Sequence, residues 1–431
     1  MLSKYKGYFL FMQTTETPTT DFLTRLGTVD DVKAQARSGA GLSERFEFNT
    51  HIHLPPNFSA FQSLRQAVDL AAEQGVGVLG VGNYYDFSIY QEFAKAAGRK
   101  NIFPLFGTEI IALETDLQQK DIRVNDPDNP GKYYICGKGI SRFDRFTPRA
   151  ADILSQIRGN DALRMRKMTA KMAEVFGFAG IDDRAVIARI VKRYGCAAET
   201  VTLQERHLAQ VFQEVFFETI AAPQQVQKLT EIFSGTPQAD LGDATAIQNE
   251  IRSRLMKAGK SCFVPETFVN LSQAKELIVE LGGIPCYPVL ADGSKRRCEY
   301  ETPLSDFIET LKAHQYAMVE LIPVRNQPEV LAEYVTAIRQ AGIAVVAGTE
   351  HNTQDLPPIK LTCVKGQDIP EDIKAIFREG VCVLAAHAFL QAHRQDGFMA
   401  TAYGSPEEKI TAFSRIGAAV LQRYFKMQKT G

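Results

Sequence analysis

Phe46-Glu47-Phe48-Asn49-Thr50-His51-Ile52-His53-Leu54-Pro55-Pro56 is a short run with strand character that carries a His-x-His pair. Successive side chains of a strand point to opposite faces, so His51 and His53 share one face, with Asn49 beside them. Two imidazoles presented from one strand make half of a metal site. An edge strand with two merely polar histidines fits the dipeptide equally well, so the surrounding chain has to decide. Ser59-Ala60-Phe61-Gln62 follows and has the form of a capping box that opens a helix. Phe61, Leu64, Ala67, Val68, Ala71 and Ala72 make its apolar stripe, and Gly75 stops it. Residues 76–81 then read as a buried strand ending at Gly82-Asn83-Tyr84-Tyr85-Asp86.

The same rhythm continues with a helix over 89–97, a strand over 102–106 ending at Gly107-Thr108-Glu109, and a strand over 133–140. From about 147 to 258 the pattern changes. Segments 161–176, 184–194, 203–220 and 244–257 have helical periodicity and few strand signals, which predicts an all-helical insertion over 147–270. Afterwards helices over 272–281, 304–313 and 329–340 feed strands over 283–288, 318–322 and 343–347, the last ending at Gly348-Thr349-Glu350-His351. Such alternation predicts an α/β protein with a parallel sheet or a barrel, its two parts at 46–146 and 271–395. Residues 1–45 read as an extended arm on the outside of the main domain, and 396–431 as a C-terminal helical tail.

Bulk properties narrow the function classes. A chain of 431 residues, 45% hydrophobic, can bury a large core. Its net charge of −1 gives no electrostatic footprint for a nucleic-acid polymer or a membrane surface. No apolar run approaches the ~20 residues of a membrane span, and the run over 8–12 is too short for a signal peptide and lacks a cleavage site. The seven cysteines are scattered, with no Cys-x-x-Cys spacing. Reduced, buried thiols in a cytoplasmic protein are expected, and a metal site must draw on histidines and carboxylates.

In a βα barrel the functional groups gather at the carboxyl ends of the strands. Those ends carry His51, His53, Asn83, Glu109, Tyr287, Glu320, Glu350 and His351. Two imidazoles and two carboxylates suit zinc, manganese or iron, and such an ion activates water or polarises a phosphoryl oxygen.

This ordered series resembles the PHP (polymerase and histidinol phosphatase) superfamily, mostly metal-dependent phosphoesterases built on a distorted (β/α)7 TIM-like barrel. Asn49-Thr50-His51-Ile52-His53 resembles its first motif, Asp-x-His-x-His. Residues 81–86 take the place of the second, which carries Asp-His. Gly107-Thr108-Glu109-Ile110 is similar to the Gly-x-Glu element, 282–288 to Gly-Gly-hydrophobic-Ala-His-Pro, and 348–351 to Gly-Ser-Asp-x-His. The resemblance covers roughly 46–145 and 270–360. It also extends to the helical insertion, where Glu205-Arg206-His207-Leu208-Ala209 is similar to an Arg-x-His-x-Ala helix start. By that resemblance Arg206 or His207 reaches a substrate phosphate, the planar fork of Arg suiting the task. A solvated helical face with a stray histidine is the plain alternative.

Several ligands of the pattern are replaced. Asn83 and Tyr84 or Tyr85 stand for Asp-His, Tyr133 or Tyr134 and Tyr287 stand for histidines, and Glu350 stands for Asp. Tyrosine, with a pKa of ~10, is a poor ligand for a divalent ion at neutral pH. The resemblance therefore implies one divalent metal ion rather than three, held by His51, His53, Glu109 and Glu350. His351 or Asp292 would handle protons, with Asn83, Tyr84, Tyr287 and Asn326 near the substrate and Arg325 beside them. The expectation is a metal-dependent hydrolase of a small anionic substrate, a phosphorylated metabolite or nucleotide. Two alternatives stand beside it: a non-catalytic barrel that binds a ligand or partner, and a mononuclear, amidohydrolase-like hydrolase of a non-phosphate bond.

Overall fold

The computed structural model describes residues 19–39, 46–353 and 356–430. Seven strands follow one another around a single sheet: β1 (Glu47–Ile52), β2 (Val76–Val81), β3 (Phe103–Leu113), β4 (Lys132–Lys138), β5 (Ile284–Val289), β6 (Met318–Leu321) and β7 (Ala344–Ala347). The His51 carbonyl accepts from the Thr349 and Glu350 amides (3.1 and 2.8 Å), and the His53 amide donates to the Glu350 carbonyl (2.8 Å). These bonds nearly close the sheet into an α/β, TIM-like barrel with a helical insertion.

One strand departs from the parallel arrangement. β4 runs antiparallel to both β3 and β5, while the remaining ladders are parallel. β3 extends past the expected end to Leu113, and only the short helix Thr115–Gln119 and a loop separate it from β4. No crossover of barrel-crossing length is present, so the chain returns beside β3 in the opposite sense. Glu109 thus lies inside a strand, paired with Cys136 of β4.

Two further expectations are corrected. The first barrel helix is Leu64–Glu73, and its cap is Ser63, whose hydroxyl accepts from the Gln66 amide (3.2 Å). Ser59 instead donates to the His53 carbonyl (2.7 Å) and accepts from the Phe61 amide, which ties the end of β1 to the loop behind it. The arm is not extended where it is described: Asp21–Thr24 and Val29–Arg37 are helical. Thr28 and Asp31 form a capping box, and Val32 is fully buried against the barrel. Residues 1–18 and 40–45 lie outside the described residues.

The insertion begins with the 29-residue helix Pro148–Phe176, capped by Thr147, and continues through Asp183–Tyr194, Glu205–Thr219, Ala222–Phe233 and Ala244–Ile251. The last runs into a π-helical turn, Arg252–Met256. These helices enclose their own core, with Met168, Met172, Phe212, Phe216 and Ile247 at its centre. The two C-terminal helices, Glu371–Ala392 and Pro406–Thr430, pack on the barrel. Phe413, Val420, Leu421 and Tyr424 join the barrel core, so this end of the chain is an integral layer rather than a tail. Among the described residues no helix is long and apolar enough to cross a membrane.

The close crossing of those helices depends on Gly417, where a Cβ would fall 1.7 Å from the Cys382 carbonyl oxygen. Gly417→Ala is expected to destabilise the protein by about 1–3 kcal/mol, the usual range for overpacking. Urea unfolding checks this, and an unchanged midpoint contradicts it.

Candidate metal centre

The register of β1 against β2 slips between Asn49 and Ile52. The Asn49 side-chain oxygen accepts the His51 amide (3.0 Å) and pins this irregularity. As a result Thr50 and His51, neighbours in sequence, both reach Glu320 of β6. The Thr50 hydroxyl donates to Oε1 at 2.9 Å, and His51 Nδ1 lies 2.8 Å from Oε2. Strict strand alternation would have sent them to opposite faces.

With Nδ1 so engaged, His51 Nε2 is turned toward Glu109. His51 Nε2 and His53 Nε2 stand 3.6 and 3.1 Å from Glu109 Oε2. His51 Nε2 and His53 Nδ1 are buried without a hydrogen-bond partner. A buried polar nitrogen left unpaired costs about 1–3 kcal/mol, which asks for an occupant. His51, His53 and Glu109 can offer one ligand atom each, all within 4.8 Å of one another. Two imidazoles and a carboxylate fit a divalent ion, and Glu320 behind His51 is the orienting carboxylate such a histidine needs. The imidazole itself fills a notch: a Cβ on Gly82 would lie 2.6 Å from His51 Nε2.

Charge around this group is arranged in pairs. Burial by itself would raise the Glu320 carboxyl, but Lys138 and His51 hold it well below the ordinary carboxylate range. Lys138 Nζ donates to Glu320 Oε1 (2.5 Å) and to the Thr50 carbonyl (3.2 Å). His51, Cys136 and Glu320 also lie close enough to ligate an ion. There the Lys138 ammonium already supplies the cation, and burial keeps the Cys136 thiol protonated. Burial lowers His53, against the pull of Glu109, so its imidazole stays neutral. Tyr84 stacks on His53 and donates to Glu109 Oε1 (2.7 Å); burial and the Glu109 charge push its phenol well above the usual value, so it keeps its proton.

The other candidates divide sharply. Glu350 faces the histidines but accepts from Arg325 (2.5 Å) and Asn352 (3.0 Å). His351 is committed on both nitrogens, to the Thr349 hydroxyl (2.6 Å) and the Pro357 carbonyl (2.9 Å), and stacks on Phe61. Burial lowers it to about 4, and with no free nitrogen it holds the loop rather than a substrate proton. Asp292 accepts from Asn326 and the Gln327 amide, and Asn326 also donates to the Leu290 carbonyl, so the two tie adjacent loops together. Asn83 bridges the Leu54 amide and carbonyl (2.8 and 2.9 Å). Tyr287 points out of the barrel among Tyr133, Tyr300 and Phe307, with its hydroxyl on Glu301 (3.0 Å), because Cys286 takes the inward face of β5. His207 is fully buried, accepts from the Gln204 amide (3.1 Å) and is lowered to about 3 by burial; it caps its helix.

Between the barrel mouth and the insertion lies a cleft of about 370 Å³. Tyr84, Glu109, Arg325 and Glu350 line one side, Arg206 and Arg252 the other. Arg206 lies over the Phe58 ring (5.8 Å) and makes no ion pair among the described residues; burial and the neighbouring Arg252 lower it to about 10. Glu205 beside it is consumed by Arg164 (2.7 Å) and Lys257 (3.2 Å). Lys138 escaped sequence reasoning because its strand runs in the unexpected direction. The Glu320 contact with His51 required a fold to be seen at all.

No protein-family model and no curated protein matches the chain. Similar solved structures are found. One is a protein from Bifidobacterium adolescentis provisionally named a metal-dependent phosphoesterase, at 14% identity and a TM-score of 0.51, covering 77% of this chain and 96% of that one. Another is an amidohydrolase from Chromobacterium violaceum with bound sulfate and no metal, at 18% identity and a TM-score of 0.48, with the same coverage. At such identities the first likeness establishes a common fold.

Because the folded protein holds Glu320 ionised at unusually low pH, its contribution is present above the unfolded carboxyl value and fades as pH falls below it. Glu320→Gln should cost about 3 kcal/mol or more at pH 7, as removal of one member of a buried pair does, and less below a pH of about 4. Denaturant unfolding across that range checks it; equal stability at pH 7 contradicts it. Gly82→Ala should fold but retain less bound metal by elemental analysis, since its methyl occupies the space before His51 Nε2.

Proposed function

We propose that the protein is a metal-dependent hydrolase of the PHP type that cleaves a phosphoester of a small anionic metabolite or nucleotide. The observation that carries this reading is the buried His51–His53–Glu109 group, with the unpartnered His51 Nε2 turned to Glu109, which itself lines a cleft walled by Arg206. A divalent ion held there would supply an activated water and polarise a phosphoryl oxygen.

The chain's own residues supply the rest. Glu320 fixes the His51 tautomer so that Nε2 faces Glu109. Tyr84 covers His53 and donates to Glu109, keeping that carboxylate aimed. Arg206, half-buried and without a carboxylate partner among the described residues, presents its fork to phosphate oxygens. The insertion, which we take as a unit over 147–270, forms the far wall and limits access of bulk water to the cleft. One ion rather than three is supported by the Tyr84 phenol standing on Glu109 and by Lys138 neutralising Glu320. A second reading, a binding protein without turnover, is favoured by one observation: Glu350 is engaged by Arg325.

The test is a substrate panel with manganese or zinc added: phosphomonoesters and nucleotides against amides and lactones. Phosphoesters should turn over, and the double change His51→Ala, His53→Ala should abolish it. Arg206→Ala should raise KM for phosphoesters by about tenfold or more with a smaller change in kcat. Turnover of amides or lactones alone contradicts the phosphatase reading. Binding of phosphoesters without any turnover supports the second.

A further inference from the structure

Glu350 is the carboxylate expected beside the histidines as a fourth ligand, yet it stands outside the group formed by His51, His53 and Glu109. Its backbone leaves it little freedom. The residue has φ +62°, its amide donates to the His51 carbonyl, and its carbonyl accepts from the His53 amide. Strain of this kind at a non-glycine residue persists where the surroundings enforce it. The carboxylate therefore hangs from a fixed point beside both imidazoles, and only its side-chain torsions decide where it goes. In this structure they take Oε2 to Arg325 Nη2, 2.5 Å away.

Arg325 is held less firmly. It ends the short turn Pro323–Arg325 after β6, and its side chain remains 35% exposed. Nη2 makes its one hydrogen bond among the described residues, so most of its donor fork faces the cleft unused. Charge gives the arrangement a direction. Glu109, Glu350 and Arg325 together carry a single negative charge, which a divalent ion converts to a single positive one.

We propose that Arg325 exchanges partners. It holds Glu350 while the ion site is empty, and when Glu350 turns to the ion it is released to bind the anionic oxygens of the substrate's phosphate. This rests on the metal-dependent reading above. Arg325 is then both a competitor for the fourth ligand and a specificity residue for an anion, facing Arg206 across the same cleft.

The experiment uses the full chain freed of metal by chelation, with manganese affinity read by competition against a fluorescent chelator. Arg325→Ala and the closer-sized Arg325→Gln should each bind manganese about tenfold more tightly than the unaltered protein, because Glu350 no longer has to leave an ion pair. Glu350→Gln should bind it more weakly, and adding Arg325→Ala to Glu350→Gln should change nothing further. Inorganic phosphate should bind the manganese-loaded Arg325 variants at least tenfold more weakly. Equal manganese affinity in the unaltered protein and both Arg325 variants overturns the exchange while leaving the metal site standing. Weaker phosphate binding without a gain in manganese affinity overturns it too. If no form binds manganese, the metal-dependent reading falls, and the exchange with it.

Discussion

Glu320 sits inside the barrel with no exposure to water, and an isolated carboxylate cannot remain ionised there. Lys138, the Thr50 hydroxyl and the His51 imidazole surround it and make the charge tolerable. These partners come from two constraints: Lys138 from the reversed strand β4, Thr50 and His51 from the slipped register of β1. The consequence reaches the cleft. Because Glu320 engages His51 Nδ1, the other imidazole nitrogen is left turned to Glu109 and His53 with nothing to bond. A buried ion pair is weak as a source of stability, but it is well suited to fixing one orientation of a side chain.

The same logic explains what the site lacks. Each of the carboxylates around the site is answered by the protein's own cation or by a phenol. Lys138 faces Glu320, Arg325 faces Glu350, and the Tyr84 hydroxyl faces Glu109. Residues that look catalytic in isolation are drawn into the scaffold. His351 is bonded on both ring nitrogens, Asp292 accepts a bond on each oxygen from the neighbouring loop, and Asn83 bridges two backbone groups. What remains uncommitted is a compact buried cluster whose Glu109 lines the cleft together with Arg206 and Arg252.

Much of this was legible in the sequence, and the reasons are specific. The alternation of apolar strands with periodic helices carried the barrel, and the loss of strand signals after 147 carried the insertion. His51, His53 and Glu109 could be grouped because a barrel places strand ends together. The sequence misled wherever a local pattern had two solutions. Ser59 looks like a cap in sequence, but its hydroxyl is taken by the His53 carbonyl and the helix is capped by Ser63 instead. Tyr287 sits in a motif-like stretch, but strand alternation sends it outward once Cys286 faces Lys138 and Glu320. The role of Lys138 depends on strand direction, which no window of sequence encodes.

One divalent ion between His51, His53 and Glu109 is the proposal on which the functional reading rests, and an anomalous-difference map from crystals grown with manganese tests it. A single strong peak is expected within bonding distance of those three side chains, with no peak beside Glu320. A map with no peak there, or with further peaks at Glu320 or around Tyr84, would contradict it.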